Sequence, residues 1–363
     1  MITFDNVSKT YPDGTLAVEG LSFVAPAGKL TVFVGPSGCG KTTMMRMINR
    51  LVDPTGGRIL LDDQDTTTID RVKLRRRIGY VIQGAGLFPH RTALDNVAAF
   101  PELLGTPKRK ARSDAMALLE RVGLTESHAK KYPWQLSGGQ QQRVGVARAL
   151  ATDPPYLLMD EPFSAVDPIV RAQLQDEFLR LQRELGKTIV MVTHDIDEAL
   201  KLGDHVAVMQ EGGHLAQFAT PEDLLTKPAN PFVADFIGAG RGYRSLQFQR
   251  IAGRVTIAPE PFVKVGETVS GSGWSIVVDV LDRPLGWIDH RDAGSAPVAA
   301  SDINVSGTIA RTDGSLRDLL DAALSSPTGR AVVAGPDGTL AGTVGIAEVT
   351  AALEGAKSPV APA

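Results

Sequence analysis

The chain reads as an α/β protein: a mostly parallel sheet alternating with helices, followed by a smaller α+β region. Three observations carry this. Short apolar runs at 30–34, 156–159 and 188–192 each give way to polar residues. The first is followed by a glycine-rich turn and then by apolar residues at helical spacing over 44–51. The pattern breaks at Gly238-Ala239-Gly240-Arg241-Gly242, beyond which only short strand-like units recur.

The elements follow in order. Short buried strands that each lead into a helix belong to a parallel sheet, and ligands in such sheets sit at the strands' carboxyl ends. Residues 78–82 read as another strand, and 114–122 and 168–185 as amphipathic helices. Thr220 followed by Pro221 marks a helix start. In the second region, 274–289 reads as strand, turn at Asp282-Arg283-Pro284, and strand. A helix is expected over 315–324. Residues 330–353 read as strand, turn at Gly335-Pro336-Asp337-Gly338, strand and helix. The expected organisation is a first domain over 1–238, a linker over 239–255, a regulatory domain over 256–354 and a disordered tail over 355–363.

Composition narrows the class. At 363 residues the chain suits two domains, and 43% hydrophobic with 22% charged residues is a soluble profile. A net charge of -3 argues against a nucleic-acid-binding surface. The single cysteine, Cys39, allows no internal disulfide and fits a reducing cytosol. The N-terminus carries Asp5 and no apolar run, so no signal peptide is expected. No stretch approaches the roughly 20 apolar residues of a membrane span, so a membrane role would be peripheral.

Gly35-Pro36-Ser37-Gly38-Cys39-Gly40-Lys41-Thr42 fits the phosphate-binding pattern GxxxxGK[ST], after a strand and before a helix. Its glycines let backbone N–H groups converge, and the helix N-terminus adds a partial positive charge. Lys41 can reach the β- and γ-phosphates of a nucleotide, and the Thr42 hydroxyl can ligate Mg²⁺. The apolar strand ending in Asp160-Glu161 supplies a carboxylate for Mg²⁺, Asp160, and a general base for the attacking water, Glu161. Leu136-Ser137-Gly138-Gly139-Gln140 opens a further helix with a serine and two glycines, a second anion-binding N-terminus in the same chain.

That last motif resembles the signature of ABC ATPases, and the resemblance covers about residues 1–238. It implies a RecA-like core with a helical subdomain, bound ATP and Mg²⁺, and a head-to-tail homodimer with each ATP between one subunit's Gly35–Thr42 loop and the other's signature. By the same resemblance Tyr11 stacks on adenine, and Thr43 joins Lys41 and Thr42 at the nucleotide. Gln83 contacts Mg²⁺ and water. Ser164-Ala165-Val166-Asp167 crosses the dimer interface, with Asp167 near the nucleotide. His194 contacts the γ-phosphate, and Ser137, Gly138, Gly139 and Gln140 bind from across the dimer.

Narrower features resemble the ATPases of osmoprotectant importers for glycine betaine, carnitine, choline or proline. They are Leu87-Phe88-Pro89-His90, Ala99-Phe100-Pro101-Glu102-Leu103-Leu104-Gly105, Phe163 through Ile169, and Lys227-Pro228-Ala229-Asn230-Pro231-Phe232-Val233. The resemblance implies integral-membrane permease subunits, an associated solute-binding protein and a place on the cytoplasmic face of the cell membrane. It also implies a C-terminal pair of cystathionine-β-synthase-type (CBS) modules, here with the first shortened. Nucleotide-binding modules of that type usually carry threonine near Gly345 and aspartate near Glu348, and this chain departs at both. The ATPase of another importer, for methionine or another amino acid, and a soluble ABC ATPase are the alternatives the sequence leaves open.

Overall fold

The computed structural model describes residues 1–164, 166–293 and 296–355. Ala165 of the expected interface loop lies outside them, as does the expected tail from 356 onward. The chain divides into two compact units, Met1–Gly238 and Ala239–Ala363.

Two sheets build the first unit. A six-stranded sheet runs in the order His214–Ala219, His205–Gln210, Leu30–Val34, Thr188–Thr193, Tyr156–Asp160, Ile78–Val81. All its pairings are parallel except that of the first two strands. Leu30–Val34, Tyr156–Asp160 and Thr188–Thr193 are buried at every position, which is why they read as continuous apolar runs. A four-stranded antiparallel sheet, in the order Leu16–Ala25, Ile2–Thr10, Gly56–Leu61, Gln64–Asp65, covers one side. Its Phe4 and Phe23 stack at 4.6 Å and meet the ring of Phe33 edge-on, in one core with Met44, Met45, Met47 and Ile48. Burial of each such side chain is worth roughly 1.5–3 kcal/mol.

The helix expected over 44–51 spans Lys41–Ile48 and so starts within the glycine-rich motif; Leu51 lies past its end and is exposed. The expected 114–122 helix is longer, Lys108–Arg121, and packs with Ala93–Leu103 and Gly138–Leu150 as a helical group. Among the described residues no helix is long and apolar enough to cross a membrane.

The second unit holds two three-stranded sheets of the same design. In each, the first strand pairs parallel with the second and the second antiparallel with the third: Phe262–Lys264, Trp274–Val278, Pro284–Asp289, and Ile309–Arg311, Arg330–Ala334, Leu340–Gly345. The second places the helix Leu316–Ser325 between its parallel strands, capped by Ser315, whereas the first crosses over without one. The stretch expected as a linker is packed: Arg241–Ser245 is helical, and Ile251 is buried with Leu316, Leu319 and Val349. The last helix, Ile346–Gly355, reaches one residue into the expected tail. Thr343 is fully buried and donates to Glu260 at 2.8 Å while accepting from Arg330 at 2.7 Å, and Arg330 pairs with Glu260 at 2.8 Å.

Candidate functional site

The strand Leu30–Val34 delivers the chain to a turn that only glycine makes cheaply. Gly38 and Gly40 have φ of 81° and 89°, a left-handed conformation costly for residues with a Cβ. A Cβ on Gly40 would collide with the backbone carbonyl of Ala17, while one on Gly38 would meet open space. Lys41 is buried, and its Nζ donates to the carbonyls of Gly35 and Pro36 at 2.8 Å each, with Cys39 Sγ at 3.5 Å. The ammonium is thus held among the loop's own backbone groups. The Cys39 thiol contributes to holding it.

A cleft of about 580 Å³ lies over this loop. It is bounded by residues 37–43, by Tyr11 with Thr15, Leu16 and Ala17, and by Glu161 and His194. The Tyr11 hydroxyl lies 3.2 Å from Thr43 Oγ1, fixing the ring at one side of the cleft. At the other, three side chains from separate segments meet. Gln83 Nε2 donates to Glu161 Oε2 at 3.2 Å, and His194 Nδ1 lies 3.2 Å from Glu161 Oε1. Glu161 has φ 45°, an uncommon conformation for a non-glycine residue, and its N–H donates to the Val192 carbonyl at 3.0 Å. The backbone strain turns this carboxylate out of the strand's plane into the cleft, between Gln83 and His194.

Asp160, one residue earlier, stays inside the sheet end and is buried. Burial, and then the neighbouring Glu161 charge, push its carboxyl above the usual range, while Arg46 and Lys41 act the other way. A buried carboxylate beside a second carboxylate, with the Thr42 hydroxyl and the Gln83 amide on adjoining segments, is an oxygen donor set that suits a hard divalent cation such as Mg²⁺. The glycine loop, in which added Cβ atoms collide or protrude, suits polyphosphate.

Ser137, Gly138 and Gln140 do not border this cleft. Ser137 caps the helix Gly138–Leu150: its Oγ accepts from Gln140 N–H at 3.3 Å, and Gln140 Oε1 accepts from Ser137 N–H at 3.1 Å. Gly139 is buried against Val166, Val170 and Leu174, where little room remains for a side chain. Asp167 is exposed just before the helix Pro168–Leu185. The chain therefore brings residues 11, 37–43, 83, 161 and 194 together and leaves the helix start at Ser137 outside that cleft.

One residue that sequence reasoning missed is Arg148. From the helix begun by Ser137 it donates to the carbonyls of Gly86 at 2.7 Å and Ala85 at 2.8 Å, clamping the loop that follows Gln83. Burial lowers its pKa. Nothing local distinguishes it from Arg143, the other arginine of that helix, because its partners lie more than sixty residues away. In the second unit, the Glu348 carboxylate accepts from the Gly345 N–H at 3.0 Å and so caps its own helix.

A family model described as ABC transporter matches residues 18–164. The carnitine transport ATP-binding protein OpuCA of Listeria monocytogenes is 52% identical over 241 residues, 66% of this chain but only 60% of that protein's length. The osmoprotectant import ATP-binding protein OsmV of Salmonella typhimurium is 41% identical over 360 residues, 95% of this chain and 94% of that one. Among solved structures, a bacterial ABC transporter cassette in dimeric form is 36% identical with a TM-score of 0.56, over 61% of this chain and 99% of that one. A dimer of an ATP-binding cassette in a post-hydrolysis state bound to ADP and Pi is similar at a TM-score of 0.55 and 36% identity, with the same coverage.

Proposed function

The chain belongs to the ATP-binding proteins of ABC transporters, and from that premise we propose that it hydrolyses ATP to drive uptake of a quaternary-amine osmoprotectant through integral-membrane permease subunits. The observation that carries the chemistry is the meeting of Gln83, Glu161 and His194 at the mouth of the glycine-loop cleft. The solute class rests on relatives named for carnitine, choline, glycine betaine and osmoprotectant transport.

Tyr11 offers an aromatic face to the base. The backbone N–H groups of the glycine loop, the N-terminus of Lys41–Ile48 and the Lys41 ammonium receive the phosphates, the lysine exchanging its carbonyl partners for phosphate oxygens. Thr42, Gln83 and Asp160 would hold Mg²⁺, which supplies neutralisation of charge on the phosphate oxygens. Glu161 accepts a proton from the attacking water, Gln83 orients that carboxylate, and His194 stabilises charge at the γ-phosphate. The signature residues Ser137, Gly138, Gly139 and Gln140, with Asp167, serve the cleft of a second copy, consistent with their separation from their own. The dimeric cassettes of similar fold support this arrangement. We assign the protein to the cytoplasmic face of the cell membrane, with a solute-binding protein as an indirect partner. The second unit acts as a CBS-like regulatory region over 256–354. Its two sheets of one design support a tandem pair, and the self-capping of Glu348 favours a response to ionic conditions over nucleotide binding.

Glu161→Gln tests the reading. Removing a general base costs about 10²–10⁴ in rate. The variant should still bind ATP, lose turnover on that scale and accumulate as an ATP-bound dimer by size exclusion. Turnover near the parental rate would sink the assignment.

A further inference from the structure

The aromatic pair immediately before the signature is not used by the reading above. Trp134 is 73% exposed and stacks on Tyr132, with ring centroids 6.2 Å apart and planes 10° from parallel. A largely exposed indole beside a functional surface is a recognition feature, because tryptophan otherwise gains by burial.

The local fold holds the segment that carries this ring. Pro133 and Leu136 are buried and anchor the segment, while Trp134, Gln135, Ser137 and Gly138 are exposed. Gln141 Nε2 donates to the carbonyls of Pro133 at 3.0 Å and Leu136 at 3.1 Å, and Gln135 Oε1 accepts from Tyr132 N–H at 2.9 Å. Residues 133–135 form a turn of 3-10 helix leading directly into the Ser137 cap. The backbone that carries the indole is therefore fixed, and binding to it costs little ordering of that segment. Three residue-to-residue steps take the chain from Trp134 to Ser137, a reach of at most about 10 Å. A nucleotide with its terminal phosphate at the Ser137 helix start extends its base away from that phosphate. The nucleotide's own cleft offers the base a single aromatic residue, Tyr11.

We propose that Trp134, steadied by Tyr132, is a nucleotide-affinity determinant acting in trans: it packs against the adenosine portion of ATP held at Tyr11 of a second copy of this chain. The proposal rests on the head-to-tail reading given above. It adds a second aromatic surface to each composite site and explains why so large a side chain is kept in water.

The test uses the full chain. Trp274 and Trp287 remain, so the Trp134 signal is the difference between the Glu161→Gln protein and the same protein with Trp134→Phe. Addition of ATP should quench and blue-shift that difference emission as the dimer forms. In the otherwise parental protein, Trp134→Ala should raise the KM for ATP about tenfold, within the range of base–aromatic stacking, and leave kcat at saturating ATP within about twofold. Trp134→Phe should recover most of the affinity. If the dimer forms with unchanged Trp134 emission and unchanged KM, the proposal is overturned and the head-to-tail reading stands. If ATP produces no dimer of the Glu161→Gln chain, both fall. A loss of kcat with no change in KM would also overturn it, since that is the mark of a merely structural role.

Discussion

Two glycines of the phosphate loop share a conformation but differ in surroundings, and alanine at each should separate strain from collision. At Gly38, with φ 81° and open space where the methyl would go, Gly38→Ala meets only the left-handed strain, roughly 1–2 kcal/mol. At Gly40, with φ 89°, the methyl also runs into the Ala17 carbonyl. That carbonyl belongs to the strand Leu16–Ala25 and cannot swing aside, so an overpacking cost of about 1–3 kcal/mol is added. The sum for Gly40→Ala is about 2–5 kcal/mol. For a cooperative unit of this size each kcal/mol lowers Tm by about 2–4 °C. Gly38→Ala should therefore melt roughly 2–8 °C below the parent and Gly40→Ala roughly 4–20 °C below. The assay is calorimetry of the full chain without nucleotide, repeated with ATP at about 100 times Kd, which should stabilise the parent by about 2.7 kcal/mol. Gly38→Ala should lose most of that ligand-induced gain, because its methyl enters the cleft. A Gly40→Ala protein that melts with or above Gly38→Ala would refute the collision argument, and with it the close packing of loop on strand.

Other consequences are equally direct. Glu198 is buried, its carboxyl is raised chiefly by that burial, and it accepts from Gln175 at 3.1 Å. Since the folded-state pKa exceeds the unfolded one, its charge costs stability above the raised value, and the cost fades as pH falls through it. Glu198→Gln should thus raise Tm at neutral pH, with the advantage shrinking in acid; a variant less stable at neutral pH would contradict this. Asp289 behaves oppositely: the Arg291 guanidinium and backbone N–H hold it at about 2, so its contribution is present above the ordinary carboxylate range and is lost as pH falls from about 4 toward 2. Asp289→Asn should flatten the acid limb of the second unit's unfolding followed by tryptophan emission. Thr343→Val leaves Arg330 and Glu260 without their buried hydroxyl and should destabilise the second unit by about 1–3 kcal/mol in urea melts. Truncation after Gly238 should preserve basal ATPase activity and flatten the salt dependence of solute uptake in reconstituted vesicles; identical salt curves would leave the second unit a passive role.

The parallel core and the phosphate loop were legible because burial on both faces gives unbroken apolar strands, and because the loop's pattern is set by backbone geometry that only glycine satisfies. The antiparallel sheet of residues 2–65 was not read. Its alternation is interrupted by register shifts between Phe4 and Val7, between Val7 and Lys9, and between Lys9 and Thr10, so no clean period of two survives. The helix Ala93–Leu103 was hidden by Pro101, which lies inside its last turn and removes one backbone donor there. Glu161 could be named from its place after an apolar strand, and His194 from the family resemblance. Their convergence with Gln83 depends on sheet order, which no local pattern encodes. The linker reading failed at Ile251 because one apolar residue in a polar stretch carries no period, yet it is enough to seat that stretch on a core.

The Arg148 clamp has a consequence for how this sequence can vary. One guanidinium satisfies the carbonyls of Ala85 and Gly86 and so fastens the loop behind Gln83 to the helix begun at Ser137. Lysine, a point charge without the planar fork, cannot hold both oxygens in that geometry. Substitution at 85 or 86 leaves these carbonyls in place but disturbs the left-handed backbone, φ 59° and 52°, that presents them, so changes at 85, 86 and 148 should be non-additive in stability. Double-mutant cycles across these three residues would measure that coupling directly.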